Sequence, residues 1–373
     1  MKSIIHLLPS LYVGGAEIFA GSLNKSMANI SIFDSKLYSA IPLKGFENSS
    51  SFKVVDLGYF VATDRFNRLR NAFFSVARNH LPSELCNLLI GCDVVHIHLP
   101  SLSYGSTPLL GAILKTNLNC VVTVHFCAGN ERVNPIISYL IKASLLKKKL
   151  KIIAVGIRSK QNILNVLRIK SNLVQVIENT AFTPLSFARK LFKNEINYTF
   201  LSVGSFEPRK NQLYIIKVFD QIIKHISSSA HLTFYGNFET QYGLNCRQLV
   251  NDLNISAHVS FSGWNDDPNV IYGGSSFLIT ASLAEGKSLA IDEAMKRGLI
   301  LVATRESIES FDLLENSEFI PINTSFGPSR ETLQDLFEIK QLVNIRKSSY
   351  EKAWQRTWLD LRKEYIDTYD QFI

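Results

Sequence analysis

The sequence predicts an α/β protein with two domains, each built on a parallel β-sheet. Its 373 residues exceed the usual size of one domain, about 100–200 residues. Short apolar runs alternate with helix-length segments, and this alternation is typical of parallel sheets with crossover helices. The runs form two series that are separated near residues 190–196. A hydrophobic fraction of 46% and a charged fraction of 19% exclude a disordered chain.

The first series opens close to the amino terminus. Its strand-like runs are Ile4–Leu8, Lys36–Ala40, Val54–Leu57, Asp93–His98, Cys120–His125 and Lys151–Val155. The run at Ile4–Leu8 is interpreted as a strand and not as a signal peptide, because Pro9 and two glycines follow it and no cleavage site does. No apolar run reaches the roughly 18 residues that span a bilayer.

The second series repeats this pattern. Its runs are Tyr198–Gly204, His231–Tyr235, His258–Phe261, Phe277–Thr280, Ile300–Ala303 and Phe319–Ile322. We therefore expect a first Rossmann-like domain over residues 1–190, facing a second over residues 196–350. An amphipathic helix over residues 351–373 is predicted to cross back to the first domain. Because ligands of open α/β sheets bind at the carboxyl ends of the strands, a shared cleft is the expected site.

Charge is distributed unevenly between the two halves. Residues 1–195 contain 23 Lys and Arg against 10 Asp and Glu, whereas residues 196–373 contain 17 against 22. Two basic segments, Arg65–Arg78 and Ile136–Lys151, place apolar residues beside cations at helical spacing. That pattern is typical of a helix lying on an anionic membrane, although a solvated helix face explains it equally well. Nucleic acid binding is disfavoured, because no recognition motif accompanies the charge.

The cysteines indicate the cellular compartment. The chain has five, an odd number, and none forms a CxxC pair. Buried thiols in a reducing compartment are favoured over redox or metal roles, which predicts a cytoplasmic protein. The inner face of the cytoplasmic membrane is the alternative location within that compartment. His96 and His98 are expected to face opposite sides of their strand, and no carboxylate cluster matches them, so no metal site is predicted.

Three short motifs fall where strands are predicted to end. Gly14-Gly15-Ala16-Glu17 follows the first strand and opens a helix whose free N–H groups could bind phosphate; paired glycines also occur as plain turns. Gly204–Asn211 follows the first strand of the second series and brings two cations, Arg209 and Lys210, to a helix start; a surface turn is the alternative. Glu285–Glu293 follows Phe277–Thr280, and its two carboxylates could accept hydrogen bonds from several hydroxyls; an ordinary capping acid is the alternative.

Together these motifs resemble the family 4 retaining glycosyltransferases with the GT-B fold. The resemblance covers nearly the whole chain in order: GGAE after the first strand, Arg-Lys-Asn in the second domain, and Glu-x7-Glu with Ser282 ahead of it. The segments Val174–Asn179 and Val259–Trp264 are similar to two further family patterns.

The resemblance implies roles in binding a nucleotide-sugar donor. Glu285 would bind donor-sugar hydroxyls and Glu293 the ribose. Lys210, with Arg209, would neutralise the departing diphosphate, and His125 would lie near the reacting sugar. The remaining donor-binding positions are Gly14, Gly15, Gly204, Gly286, Lys287, Ser288 and Leu289.

Two departures from the family pattern concern charge. Gly204-Ser205 stands where the family often has Gly-Arg, so Arg209 is the expected replacement cation. Lys287-Ser288 stands where a Phe usually follows Glu-Gly, and this affects the identity of the donor sugar. Trp264 is a candidate for stacking on the base, or a core aromatic.

The implied function is transfer of a hexose from a nucleotide-diphosphate sugar to a glycan acceptor, presumed to be lipid-linked, in bacterial surface polysaccharide (O-antigen or capsule) synthesis. No metal or cofactor is required. Two alternatives stay open: another enzyme on the same fold, such as a nucleotide-sugar epimerase or a phosphorylase, and a non-catalytic sugar-nucleotide-binding protein. The motifs do not select among UDP-, GDP-, ADP- and dTDP-sugars.

Overall fold

The computed structural model describes most of the chain. The described residues are 1–9, 14–39, 52–54, 83–103, 107–186, 196–322 and 337–372. The basic segment Arg65–Arg78 lies outside them, as does almost all of the predicted domain junction at residues 190–196.

The chain divides into two compact units, Met1–Asn179 with Leu359–Ile373, and Thr180–Trp358. Within its described residues, the first unit contains seven strands: β1 (Lys2–Leu8), β2 (Phe33–Ser39), β3 (Phe52–Val54), β4 (Val94–Leu99), β5 (Asn119–Val124), β6 (Leu150–Ala154) and β7 (Val174–Val176). Its helices are α1 (Gly15–Ala28), α2 (Ser83–Leu89), α3 (Pro108–Ile113), α4 (Pro135–Leu146), α5 (Ile157–Leu167) and, from the end of the chain, α12 (Trp358–Asp370).

The described part of the second unit contains six strands: β8 (Thr199–Val203), β9 (His231–Tyr235), β10 (Val259–Gly263), β11 (Phe277–Thr280), β12 (Ile300–Ala303) and β13 (Ile320–Pro321). Its helices are α6 (Gln212–His225), α7 (Gln241–Asp252), α8 (Pro268–Tyr272), α9 (Leu289–Lys296), α10 (Arg305–Ile308) and α11 (Ile339–Ala353).

Each unit is built on one sheet whose strands are all parallel. The order is β3-β2-β1-β4-β5-β6-β7 in the first sheet and β10-β9-β8-β11-β12-β13 in the second. Inner strands such as β12, in which all four residues are buried, carry apolar side chains on both faces. The predicted α/β fold class is confirmed. The strand order reverses direction between β1 and β4, and again between β8 and β11.

The C-terminal region differs from the prediction of one long helix. A turn at residues 354–357 separates α11 from α12. Only the residues from Leu359 onward belong to the first unit, where Tyr365 and Tyr369 are fully buried. At the other junction, residues 180–186 lie in the second unit, although the sequence assigned them to the first domain. The reason is a buried contact of Thr180 with α9, described below.

Candidate active site

The loops after β8 and β11 meet at the point where the strand order of the second sheet reverses. In open parallel sheets this point is where ligands bind, because neighbouring loops there diverge to opposite faces. One loop carries Gly204–Asn211 and the other Ala281–Ser288. The backbone N–H of Leu283 donates to the carbonyl of Arg209 at 2.8 Å, which ties the two loops together. Two of the three sequence motifs therefore converge.

The loop after β8 is shaped to hold Lys210 against the backbone. Gly204 has φ of 147°, a conformation that favours glycine. A Cβ there would lie 3.5 Å from Cε of Lys210, an ordinary van der Waals contact, so the positive φ and not the lack of space favours glycine here. The chain then forms a 3₁₀ turn over Pro208–Lys210, and Asn211, with φ of 56°, starts α6.

Glu285 lies between the two cations that precede α6. Its carboxylate forms an ion pair with the ammonium of Lys210 through Oε1 and accepts from Nη1 of Arg209 at 3.2 Å through Oε2. Nη1 of Arg209 also donates to the carbonyl of Ala284 at 3.0 Å, and Nη2 donates to Glu207 at 2.6 Å. The side chains of Glu285 and Lys210 are only 11% and 19% exposed. The structure thus brings Arg209, Lys210 and Glu285 into one cluster, the switch-point cluster.

The cluster keeps Glu285 ionised. Burial by itself would raise the pKa of Glu285, but Lys210 and Arg209 outweigh it and, with a hydrogen bond from Ser282, hold that pKa below its ordinary value. The carboxylate therefore remains a hydrogen-bond acceptor, and it holds the two cations side by side.

The segment after Glu285 leads directly into α9. Gly286 is buried, Ser288 is the N-cap of α9, and Leu289 is its first residue. The ammonium of Lys287 lies over the ring of Phe311, 5.2 Å from its centroid. The donor-binding roles of these four residues stay predictions.

Glu293, the second acid of Glu-x7-Glu, has partners separate from those of Glu285. It accepts a hydrogen bond from the buried hydroxyl of Tyr272. Burial raises the pKa of Glu293, and the charge of Asp292 adds to the rise, whereas Tyr272 and Arg297 oppose it. The Tyr272 contact leaves acceptor capacity on the carboxylate for a further donor.

A buried ion pair fixes α9 in the second unit. The ammonium of Lys296, 1% exposed, lies 2.8 Å from Oδ2 of Asp292. The same oxygen accepts from the Thr180 hydroxyl at 2.9 Å and from the backbone N–H of Ala181 at 2.6 Å. Lys296 also bonds the Thr180 hydroxyl. These contacts explain why residues 180–186 belong to the second unit.

The remaining predicted residues lie in the first unit. Gly14 is the N-cap of α1, and its N–H donates to the carboxylate of Glu17 at 2.9 Å. A Cβ on Gly15 would meet no atom within 4 Å, so packing inside the unit does not require glycine there. His125 directly follows β5, and Phe19 of α1 packs edge-on against it at 5.3 Å. Both features lie at the carboxyl ends of the strands.

Behind His125 lies a histidine cluster, which we define as His6, His96, His98 and His125. The prediction that His96 and His98 face opposite sides was wrong. Residues two apart on a strand point to the same face, and the two rings are 4.0 Å apart. His96 bonds the Tyr369 hydroxyl at 2.7 Å and the Thr123 hydroxyl at 2.8 Å.

Within the described part of the chain, His6, His96 and His98 are the group whose ligand atoms lie close enough to hold a metal, within 4.8 Å of one another. Five of their six ring nitrogens have hydrogen-bond partners, namely both nitrogens of His96, both of His98 and Nδ1 of His6. The group contains no anionic side chain, so a dication would bring an uncompensated charge into a buried site. The absence of a metal requirement stays a prediction.

Sequence reasoning missed His6, Tyr272 and the Asp292–Lys296 pair. A signal existed for His6, because β1 and β4 are neighbours at the reversal of strand order and His6 pairs in register with His96. Tyr272 and Thr180 reach α9 from distant segments, so no spacing along the chain could reveal them.

Comparison with known proteins shows that this chain is similar to glycosyltransferases. Residues 186–311 match the family Glycosyl transferases group 1. The capsular polysaccharide biosynthesis glycosyltransferase CapH of Staphylococcus aureus is 27% identical over 265 residues, which cover 68% of this chain and 70% of CapH. The UDP-Gal:alpha-D-GlcNAc-diphosphoundecaprenol alpha-1,3-galactosyltransferase of Escherichia coli is 25% identical over 245 residues, 61% of each chain.

A solved structure, Anabaena HepE in complex with UDP and glucose, superposes with a TM-score of 0.74 at 15% identity and covers 100% of both chains. The comparisons confirm the predicted GT-B fold. They also confirm the prediction that the chain is a glycosyltransferase, a hexosyltransferase. Among the described residues, no helix combines the length and the apolar character needed to traverse a bilayer.

Proposed function

We propose that this chain is a family 4 retaining glycosyltransferase that transfers a hexose from a UDP-hexose to a lipid-diphosphate-linked glycan in bacterial surface-polysaccharide synthesis. The observation that carries the proposal is the switch-point cluster of Arg209, Lys210 and Glu285. The name of CapH supports a role in polysaccharide synthesis, and the name of the galactosyltransferase supports a lipid-diphosphate-linked acceptor. UDP is the nucleotide in the name of the galactosyltransferase and in the HepE complex.

The cluster fits the charge that develops in such a reaction. Breaking the bond between the anomeric carbon and the diphosphate places negative charge on the leaving oxygen. Lys210 and Arg209, held in advance by Glu285, stabilise that charge without reorganisation. The carboxylate of Glu285 accepts hydrogen bonds from sugar hydroxyls, and Glu293 binds the ribose with the acceptor capacity that Tyr272 leaves. Gly14, Gly15 and His125 keep the roles that the family resemblance implies. No metal enters the scheme.

Replacing Lys210 by Met tests the proposal. We expect kcat for hexose transfer to fall by about 10²–10³, as for loss of one preorganised donor in other enzymes, because the departing diphosphate loses a cation. The assay follows transfer from UDP-glucose and UDP-galactose to a lipid-diphosphate-linked sugar. Circular dichroism checks that the variant folds.

Lys224→Met provides the matched control. Lys224 belongs to the same unit and pairs with Asp220 on α6, outside the cluster, so transfer should persist. Near-normal turnover by Lys210→Met contradicts the proposal. Conversion of UDP-glucose without acceptor would instead identify an epimerase, and UDP binding without transfer a non-catalytic binder.

We also propose that the first unit contacts the anionic inner face of the cytoplasmic membrane through α4. The buried side of α4 carries Ile137, Ile141 and Leu145. Its opposite side carries Ile136, Tyr139 and Leu146, which are 48%, 69% and 83% exposed. Spacings of three and seven residues place these three on one helix face, the α4 stripe. Lys147 and Lys148, both exposed, follow directly.

Replacing all three residues of the α4 stripe by Ser is expected to abolish binding to vesicles of phosphatidylcholine and phosphatidylglycerol. Replacing Lys147 and Lys148 by Ala should weaken binding about fivefold per lysine, since each contributes about 1 kcal/mol near an anionic surface. Vesicle co-sedimentation measures both effects. Leu244→Ser, at an exposed apolar position of the second unit, serves as the control. Equal binding by the triple variant would refute the membrane contact.

A further inference from the structure

Three histidines of the first unit form a hydrogen-bonded chain that ends at His125. Nδ1 of His6 lies 3.0 Å from Nε2 of His98. Nδ1 of His98 lies 3.3 Å from Nε2 of His125. The chain therefore runs across three neighbouring strands, from β1 through β4 to the end of β5. His6 and His98 are fully buried, whereas His125 is half-buried.

The protons of this chain are coupled. Burial lowers the pKa of His6 and of His125 to about 3 and that of His98 well below its ordinary value, so each ring is neutral and carries one proton. Each contact needs one N–H and one lone pair. Only two arrangements satisfy both contacts: all three protons on Nδ1, or all three on Nε2.

The ring of His6, at the end of the hydrogen-bonded histidines opposite His125, distinguishes the two arrangements. Nε2 of His6 is buried and has no hydrogen-bond partner among the described residues. With every proton on Nε2, this atom would be a buried N–H without an acceptor, and such orphaned donors are rarer in proteins than orphaned acceptors. With every proton on Nδ1, only a lone pair is left unpartnered at His6.

We infer that His6 and His98 are positioning residues that hold the proton of His125 on Nδ1, so that His125 offers a hydrogen-bond donor at the carboxyl end of β5. Nε2 of His125 is occupied as the acceptor from His98. The functional consequence rests on the proposed function: His125 would donate to an oxygen of the sugar or the acceptor and would not take the proton of the attacking hydroxyl. The tautomer itself is independent of that function.

Nitrogen-15 NMR of the full chain tests the tautomer directly. Histidines labelled on both ring nitrogens give multiple-bond ¹H–¹⁵N spectra that distinguish the protonated nitrogen from the bare one. The variants His6→Phe, His98→Phe and His125→Phe assign the signals. We expect Nδ1 to be protonated in all three rings. A proton on Nε2 of His125 overturns the inference, and so does a change of these signals on addition of EDTA, which would reveal a bound metal.

His6→Phe tests the positioning role. It leaves Nε2 of His98 as the unpartnered end, where a lone pair is again favoured over an orphaned N–H, so the proton of His125 should stay on Nδ1. His98→Phe instead removes the donor to Nε2 of His125, so both tautomers of His125 should become populated, and kcat for transfer should fall about three- to tenfold with little change in KM for the donor. His96→Gln is the control. His96 is equally buried in the cluster, but it forms hydrogen bonds with Thr123 and Tyr369 and none with the other three histidines. The tautomer of His125 should therefore persist in this variant.

An unchanged His125 tautomer in folded His98→Phe overturns the positioning role, and so does a proton on Nε2 of His125 in folded His6→Phe. If the wild-type chain transferred no hexose, the proposed function would fail while the spectra still decided the tautomer. If His98→Phe failed to fold, the wild-type spectrum alone would still confirm or refute protonation at Nδ1.

Discussion

Below pH 6.5 the first unit is expected to lose stability steeply, because its buried histidines resist protonation. Burial lowers the pKa of His6 from 6.5 to about 3 and lowers those of His96, His98 and His125 as well. The unfolded chain binds these protons near pH 6.5 and the folded unit does not. Stability is therefore complete above pH 6.5 and falls as the pH decreases towards 3, by about 1.4 kcal/mol per pH unit for each such histidine.

Hydrogen exchange followed by mass spectrometry, corrected for intrinsic rates, measures this loss separately in each unit. Peptides from β1 and β4 should lose protection between pH 6.5 and pH 5. The second unit is the comparison in this range. The lowered pKa of its His231 acts in the same direction but concerns a single ring, the raised pKa of Glu293 acts in the opposite direction, and the lowered pKa of Glu285 costs stability only in the ordinary carboxylate range. His6→Phe should reduce the pH dependence of the unfolding free energy of the first unit by the equivalent of one bound proton, about 1.4 kcal/mol per pH unit. A slope that is the same in both units contradicts the expectation.

Replacing Asp292 by Ala is expected to destabilise the second unit by about 3–5 kcal/mol. The substitution leaves the ammonium of Lys296 buried without its counter-ion, and removal of one partner of a buried pair has a cost of this size. It also removes the acceptor of the Ala181 N–H. Urea unfolding followed by tryptophan fluorescence measures the loss, because the indole of Trp354 donates to the carbonyl of Lys296 at 3.2 Å.

Asp220→Ala is the matched control for Asp292→Ala. Asp220 also pairs with a lysine four residues later on its helix, but the side chain of Lys224 is 54% exposed and can be solvated alone. We expect a smaller loss there. The double variant Asp292→Leu with Lys296→Met should recover much of the stability, since no unpaired charge remains. A loss below about 1 kcal/mol in Asp292→Ala would refute the importance of this pair.

Local patterns of the sequence were sufficient to predict the fold class. Runs such as Ile300–Ala303 are apolar on both faces and alternate with helices, and this combination is compatible only with parallel sheets. The motif after Phe277–Thr280 and the cations at Arg209 and Lys210 were also predictable, because both follow strands and the ends of parallel strands lie at one edge of a sheet. Their direct pairing with Glu285 depends on strand order, which periodicity does not encode.

Interactions between distant segments could not be predicted in the same way. Tyr272 reaches Glu293 across 21 positions, and Thr180 reaches Asp292 across 112. The histidine cluster was overlooked for a different reason, namely that His96 and His98 were assigned to opposite faces. Correct use of the two-residue repeat, with β1 placed beside β4, would have brought His6, His96 and His98 together.

The return of the chain to the first unit has a consequence for protein synthesis. Lys2 on β1 pairs with Asp370 at 2.7 Å, and the hydroxyl of Tyr365 bonds that of Thr123 at 3.0 Å. The ribosome makes β1 more than 350 residues before α12, so the second unit is synthesised before the core of the first unit can be completed. Chains truncated before Leu359 should consequently contain a folded second unit attached to an incompletely folded first one.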